Sequence, residues 1–77
     1  METLRSYLNA LSISMQRDFA ANCGTSVEYL RKAISTKQKL GAALSVQIEV
    51  NSKCSVLRKD LHPDDWFKIW PELAEAA

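Results

Sequence analysis

DFAANCGTSVEYLRKAIS, residues 18–35, is the stretch on which the reading of this chain turns. Two helical patterns meet there at one glycine. Phe19, Ala20 and Cys23 form the inward side of the first pattern, and Leu30 and Ile34 that of the second, with Ala33 beside them. Gly24 is expected to stop the first helix in a left-handed conformation. Thr25 or Ser26 then starts the next, and Thr25-x-x-Glu28 fits a capping box in which hydroxyl and carboxylate satisfy each other's backbone amides. Such a unit is either a hairpin that completes a small core or a device for reading DNA.

Outward from it, the rest of the chain also reads as helix. Leu4, Tyr7, Leu8 and Leu11 share a stripe, predicting a first helix that ends at Leu11, where Ser12 offers a cap for a second helix over Ile13–Cys23. Thr36 to Lys39 form a polar connection, and Leu44 and Ile48 carry a fourth helix from about Leu40 to Asn51. After an Asn51-Ser52-Lys53 turn, Val56, Leu57 and Leu61 suggest a short helical turn that His62-Pro63 ends. Asp64 can cap a last piece bearing Trp66, Ile69 and Trp70, cut at Pro71, with Glu72 to Ala77 expected to fray. The expectation is an all-α fold, a compact bundle of four to five short helices in one domain over residues 1–77. Its helix-turn-helix would occupy about residues 13–35 and its C-terminal tail about residues 62–77.

Composition excludes several classes of protein. Two glycines and two prolines in 77 residues leave little room for long loops, and no apolar run approaches the roughly 18 residues a membrane span needs. METLRSYL lacks the basic-then-apolar layout of a signal peptide, so a cytoplasmic protein is expected. Cys23 and Cys54 lie 31 residues apart and His62 is the one histidine, which is not zinc-ligand spacing. Both cysteines read as free thiols, Cys23 as a small core residue. No phosphate-binding glycine loop, acidic pair in an apolar setting, or nucleophile with a base at recognisable spacing is present. Neither an enzyme nor a bound metal or cofactor is expected, and His62 reads as a turn residue or a tail contact.

Charge is unevenly distributed. Residues 1–59 hold nine Lys/Arg against four Asp/Glu, a net +5, whereas residues 60–77 hold one lysine against five acids, a net −4. From Arg31 to Lys39 four basic residues occur and no acidic one. That suits a protein meeting a polyanion with one face, although chance clustering on a solvated surface gives the same pattern.

The hairpin has the parts a helix-turn-helix requires: a small residue at the helix crossing (Ala20), a turn glycine four positions later (Gly24), and an inward apolar residue six further on (Leu30). Ser26, Val27, Glu28, Arg31, Lys32 and Ser35 then fall on the outer side as candidate base contacts. Arg31 could take a guanine edge, Glu28 a cytosine amine and Val27 a thymine methyl. Gln16, Thr25, Lys37 and Lys39 are candidate phosphate contacts. Glu28 and Lys32 are also an i, i+4 pair that could simply hold each other. Trp66, Ile69, Trp70 and Leu73 make an apolar stripe that either closes the core or contacts a second copy or another partner, since helix-turn-helix proteins commonly bind half-sites as dimers.

LRSYLNALS, RDFAANCGTSVEYLRKAIS, LGAALSVQIE and VLRKDLHPDDW resemble the YdaS-like branch of the Cro-type helix-turn-helix regulators, small bacterial and prophage-encoded proteins. The resemblance covers roughly residues 4–66, and its most specific parts are CGTSVEYLRK and LHPDDW. It implies a lambda-repressor-like helical fold and a cytoplasmic regulator of double-stranded DNA, a Cro-like repressor at an operator in its own locus. The alternative it implies is an antitoxin that binds a toxin protein through its C-terminal region and regulates its own operon secondarily. Two departures stand out: Ile13 replaces a frequent proline, and Met15 an acidic residue expected to support the cap of the second helix.

Overall fold

In the computed structural model, which describes residues 2–75, the chain is all-α. Seven helices and no strand occur among the described residues: α1 (Glu2–Asn9), α2 (Ile13–Asn22), α3 (Val27–Thr36), α4 (Ala42–Asn51), α5 (Arg58–Leu61), α6 (Trp66–Ile69) and α7 (Pro71–Glu75).

Local backbone devices set the boundaries. α1 stops at Asn9, two residues before the expected Leu11, because the Leu11 amide turns back to the Leu8 carbonyl in a tighter closing turn. Ser12 caps α2, its hydroxyl accepting from the Met15 amide at 3.2 Å. The donor is backbone, so methionine keeps this bond but returns no side-chain bond to the Ser12 amide, as an acidic residue there could. α2 closes in a Schellman motif: the Gly24 amide donates to Ala21 O at 3.0 Å and the Thr25 amide to Ala20 O at 2.9 Å, with Gly24 at φ +79°.

That closure corrects the capping box. The Thr25 amide is already satisfied by α2, so the cap of α3 falls to Ser26, whose Oγ accepts from the Tyr29 amide at 3.1 Å. α3 and α4 end in the same motif, but with Lys37 (φ 57°) and Lys53 (φ 53°) where glycine is usual. The left-handed turn at Lys37 delays α4 to Ala42. Leu40, expected inside that helix, instead lies before it and fills the core.

The core unites Leu4 and Leu8 of α1, Phe19, Ala20 and Cys23 of the α2 end, and Leu30, Ala33 and Ile34 of α3. Leu40, Ile48, Val56 and Leu61 complete it from the rest of the chain. Tyr7 and Phe19 pack with ring centroids 5.0 Å apart, joining α1 to α2. Neither cysteine is in a disulfide; Cys23 is buried and Cys54 exposed.

The C-terminal segment differs from expectation in three ways. Pro71 does not merely cut a helix but begins α7, at the first-turn position where its missing amide is harmless. Trp70, as the residue before proline, is driven out of helical geometry (φ −127°, ψ 69°), which ends α6 at Ile69. Asp64 does not cap α6; Asp65 occupies the cap position without a capping bond, its carboxylate engaged by His62 and Lys39. Helix continues to Glu75 through most of the segment expected to fray, and Ala76 and Ala77 lie outside the described residues.

Candidate nucleic-acid interface

The outer face of α3 follows from where its apolar residues go. Leu30, Ala33 and Ile34 are buried, which leaves Glu28, Tyr29, Lys32, Ser35 and Thr36 exposed. Of the six candidate base contacts, Glu28, Lys32 and Ser35 share this open face, and Ser26 stands exposed at its N-terminal end, its hydroxyl occupied as the cap. Glu28 and Lys32 form no ion pair, so the idea that they hold each other is not realised.

Val27 is a partial correction. It is half-buried and packs on the core, because position 27 lies within one turn of Leu30 on the inward side. Tyr29 and Thr36 were missed. Helical spacing from the Leu30/Ile34 stripe carries the signal, since both positions fall near the opposite side.

Arg31 lies between the two faces and is half-buried. Its Nη1 donates to Asn9 Oδ1 at 2.9 Å and its Nη2 to Gln16 Oε1 at 3.3 Å. Gln16 in turn donates from Nε2 to the Leu11 carbonyl at 3.0 Å. The guanidinium is therefore held by neutral acceptors from α1 and α2, and among the described residues no carboxylate pairs with it. Its charge is localised but not cancelled.

The four candidate phosphate contacts are dispersed. Gln16 and Thr25 are half-buried near the start of α2 and the start of α3, while Lys37 and Lys39 follow the C-terminal end of α3. α3 spans about 15 Å at 1.5 Å per residue, which separates the two ends by that much. Lys37 is exposed and has no ion-pair partner among the described residues. Lys39 reaches Asp65 at 3.6 Å, so one of the four is partly neutralised. Lys37 and Lys39 also line a cleft of about 550 Å³ together with Ile34, Leu61, Pro63 and the acidic Glu2, Asp60 and Asp64.

The apolar stripe of the tail is divided. Trp70 is only 8% exposed and belongs to the fold, with its ring edge-on to His62 (5.5 Å) and beneath the Arg58 guanidinium (5.5 Å). Of the two readings left open for the stripe, Trp70 takes the core one, not the partner contact, with a loop histidine covering it. Trp66 is half-buried under the Lys59 ammonium at 4.4 Å, and Leu73 is half-buried. Ile69 (36%) is exposed, and so is Phe67 (45%), which the stripe spacing had omitted.

His62 is more than a turn residue. It is buried, with Nε2 donating to the Leu40 carbonyl at 2.7 Å and Nδ1 3.1 Å from Asp65 Oδ1. Beside it, Glu49 accepts from the Arg58 backbone amide (3.1 Å), Nε (3.0 Å) and Nη2 (2.6 Å). The Arg58 side-chain hydrogen bonds hold the Glu49 carboxyl below its usual range, against an opposing push from burial. Burial raises the Cys23 thiol above its ordinary value, favouring the neutral form. Among the described residues no group of three potential ligands is arranged to hold a metal ion, and no helix is long and apolar enough to cross a membrane.

Fold and surface together define a small all-helical domain with a glycine-closed helix pair and one exposed helix face beside an unneutralised arginine. Compared with protein-family models, with curated proteins and with solved structures, the chain has no significant match in any of the three.

Proposed function

We propose that the chain is a sequence-specific DNA-binding regulator of the Cro/YdaS-like kind, with α2, the Gly24 turn and α3 serving as its helix-turn-helix. The observation that carries this reading is the outer face of α3: Glu28, Lys32 and Ser35 exposed and, among the described residues, in no ion pair, beside an Arg31 held by the neutral acceptors Asn9 and Gln16. A major groove about 12 Å wide admits a helix so exposed. Arg31 takes a guanine edge or a flanking phosphate, and Lys37 holds a phosphate at the far end. The protein acts in the cytoplasm as a repressor, occupying an operator in its own locus and binding as a dimer at least on DNA, without catalysis.

The test is an anisotropy titration against a duplex selected by the wild-type chain from a randomised pool. Arg31→Ala is expected to lose roughly 1–3 kcal/mol on that duplex, and Lys37→Ala to weaken binding to all duplexes while flattening the salt dependence. Unchanged affinity for Arg31→Ala would remove α3 as the reading helix.

A second reading has its own support. Phe67 and Ile69 leave apolar surface open on α6, which suits an antitoxin that binds a toxin through this tail. Phe67→Ser with Ile69→Ser separates the two, since it abolishes partner capture in that reading and leaves DNA affinity intact.

A further inference from the structure

Resting on the DNA-binding reading, we infer that Asn9, the last residue of α1, is a positioning residue that sets the arginine of the reading helix for its contact. The juxtaposition is specific. Asn9 is 22 residues from Arg31 in the chain, yet its Oδ1 accepts from Arg31 Nη1 at 2.9 Å while Gln16 takes Nη2 at 3.3 Å. Two acceptors on two different helices thus fix a long side chain that otherwise samples many rotamers. That ordering is complete when the chain folds, so it does not count against binding when DNA arrives.

The choice of an amide matters as much as its place. Asparagine accepts a hydrogen bond without bringing a negative charge, so the guanidinium keeps its full attraction for an anionic partner. An aspartate at position 9 would make the stronger bond and cancel that charge. Two acceptors also occupy only two of the five guanidinium N–H groups, leaving three for a ligand. α1 has no basic residue in its own last turn, and Arg31 supplies a cation beside that carbonyl-rich end without blocking its own outer N–H groups.

The experiment uses the full chain with four sequences: wild type, Asn9→Ala, Asn9→Asp and Arg31→Ala, plus Asn9→Ala in the Arg31→Ala background. Each is titrated on the selected duplex and on a scrambled one at several salt concentrations, with a thermal melt for each protein. Asn9→Ala is expected to reduce the ratio of selected to scrambled affinity about tenfold while leaving the salt slope as in wild type. Asn9→Asp is expected to lower affinity for both duplexes and to reduce the salt slope by about one counterion. In the Arg31→Ala background Asn9→Ala should change nothing further. The inference is overturned if Asn9→Ala leaves the ratio unchanged, or lowers it equally without Arg31. A wild-type chain with no salt-dependent affinity for any duplex would instead end the DNA-binding reading, and this role with it.

Discussion

Residues 2–36 and residues 37–75 are held together differently. In the first segment α1, α2 and α3 meet through Leu4, Leu8, Phe19, Ala20, Leu30 and Ile34, and the caps Ser12 and Ser26 are hydroxyls serving backbone amides. Among the described residues its one ion pair, Arg5 with Glu2, is exposed, and no carboxylate partners Arg17, Arg31 or Lys32. In the second segment four helices, three of them five residues or shorter, cannot bury enough apolar surface by themselves. Polar side chains there link one element to the next: Glu49 to Arg58, Arg58 over Trp70, Trp70 against His62, and His62 to Leu40 and Asp65. Where apolar packing suffices, basic side chains stay available for a ligand. Where it does not, the charges of Glu49, Arg58, Asp65 and, in part, Lys39 are engaged in holding the fold.

Three substitutions test that contrast, in decreasing order of effect. Leu30→Ala removes a side chain with no exposure from the junction of α1, α2 and α3, and should cost about 3 kcal/mol by urea denaturation, enough to unfold much of so small a chain. A loss below about 1 kcal/mol would mean that the first segment is not organised around its apolar core.

Glu49→Gln should cost about 2 kcal/mol at neutral pH, because Arg58 loses a charged, mostly buried partner. The pH dependence has a definite sign. The folded carboxyl is held below the unfolded value of about 4.3, so its contribution is complete above that pH. It drains away as pH falls through the unfolded value toward the folded one. The gap between wild type and Glu49→Gln should therefore be constant from pH 6 to 8 and close in acid. A gap that widened in acid would contradict the pairing.

Lys37→Gly is the smallest and acts in the opposite direction. Glycine relieves the left-handed strain at φ 57° and should stabilise the chain by about 1 kcal/mol, since Lys37 has no ion-pair partner among the described residues. The same change should reduce the salt dependence of DNA binding. A lysine at a position that favours glycine, with stability gained and affinity lost on replacement, would mark it as kept for its charge. Stabilisation with no effect on binding would remove Lys37 from the interface.

Much of the helical layout was legible because its causes are local. Ser12 and Gly24 act on amides and carbonyls within a few residues, and the Leu4/Leu8 and Leu30/Ile34 stripes follow from helical period. The errors were local competitions with two answers. Thr25 and Ser26 could each cap α3, and only the closure of α2 on the Thr25 amide decided between them. Lys37 and Lys53 in left-handed turns left no signal, since neither is a residue expected there.

By itself, then, the sequence determined an all-helical chain, the glycine-closed pair around Gly24, the main core positions and an excess of basic residues before Asp60. Tertiary structure alone decided which of those bases remain free. Arg31 meets Asn9 and Gln16 across 22 and 15 residues, Leu40 meets His62 across 22, and Glu49 meets Arg58 across nine. No periodicity or capping rule reaches over such separations. These contacts exist because burying the apolar stripes brings the helices together, and side chains at their rims then find whichever partner lies within reach.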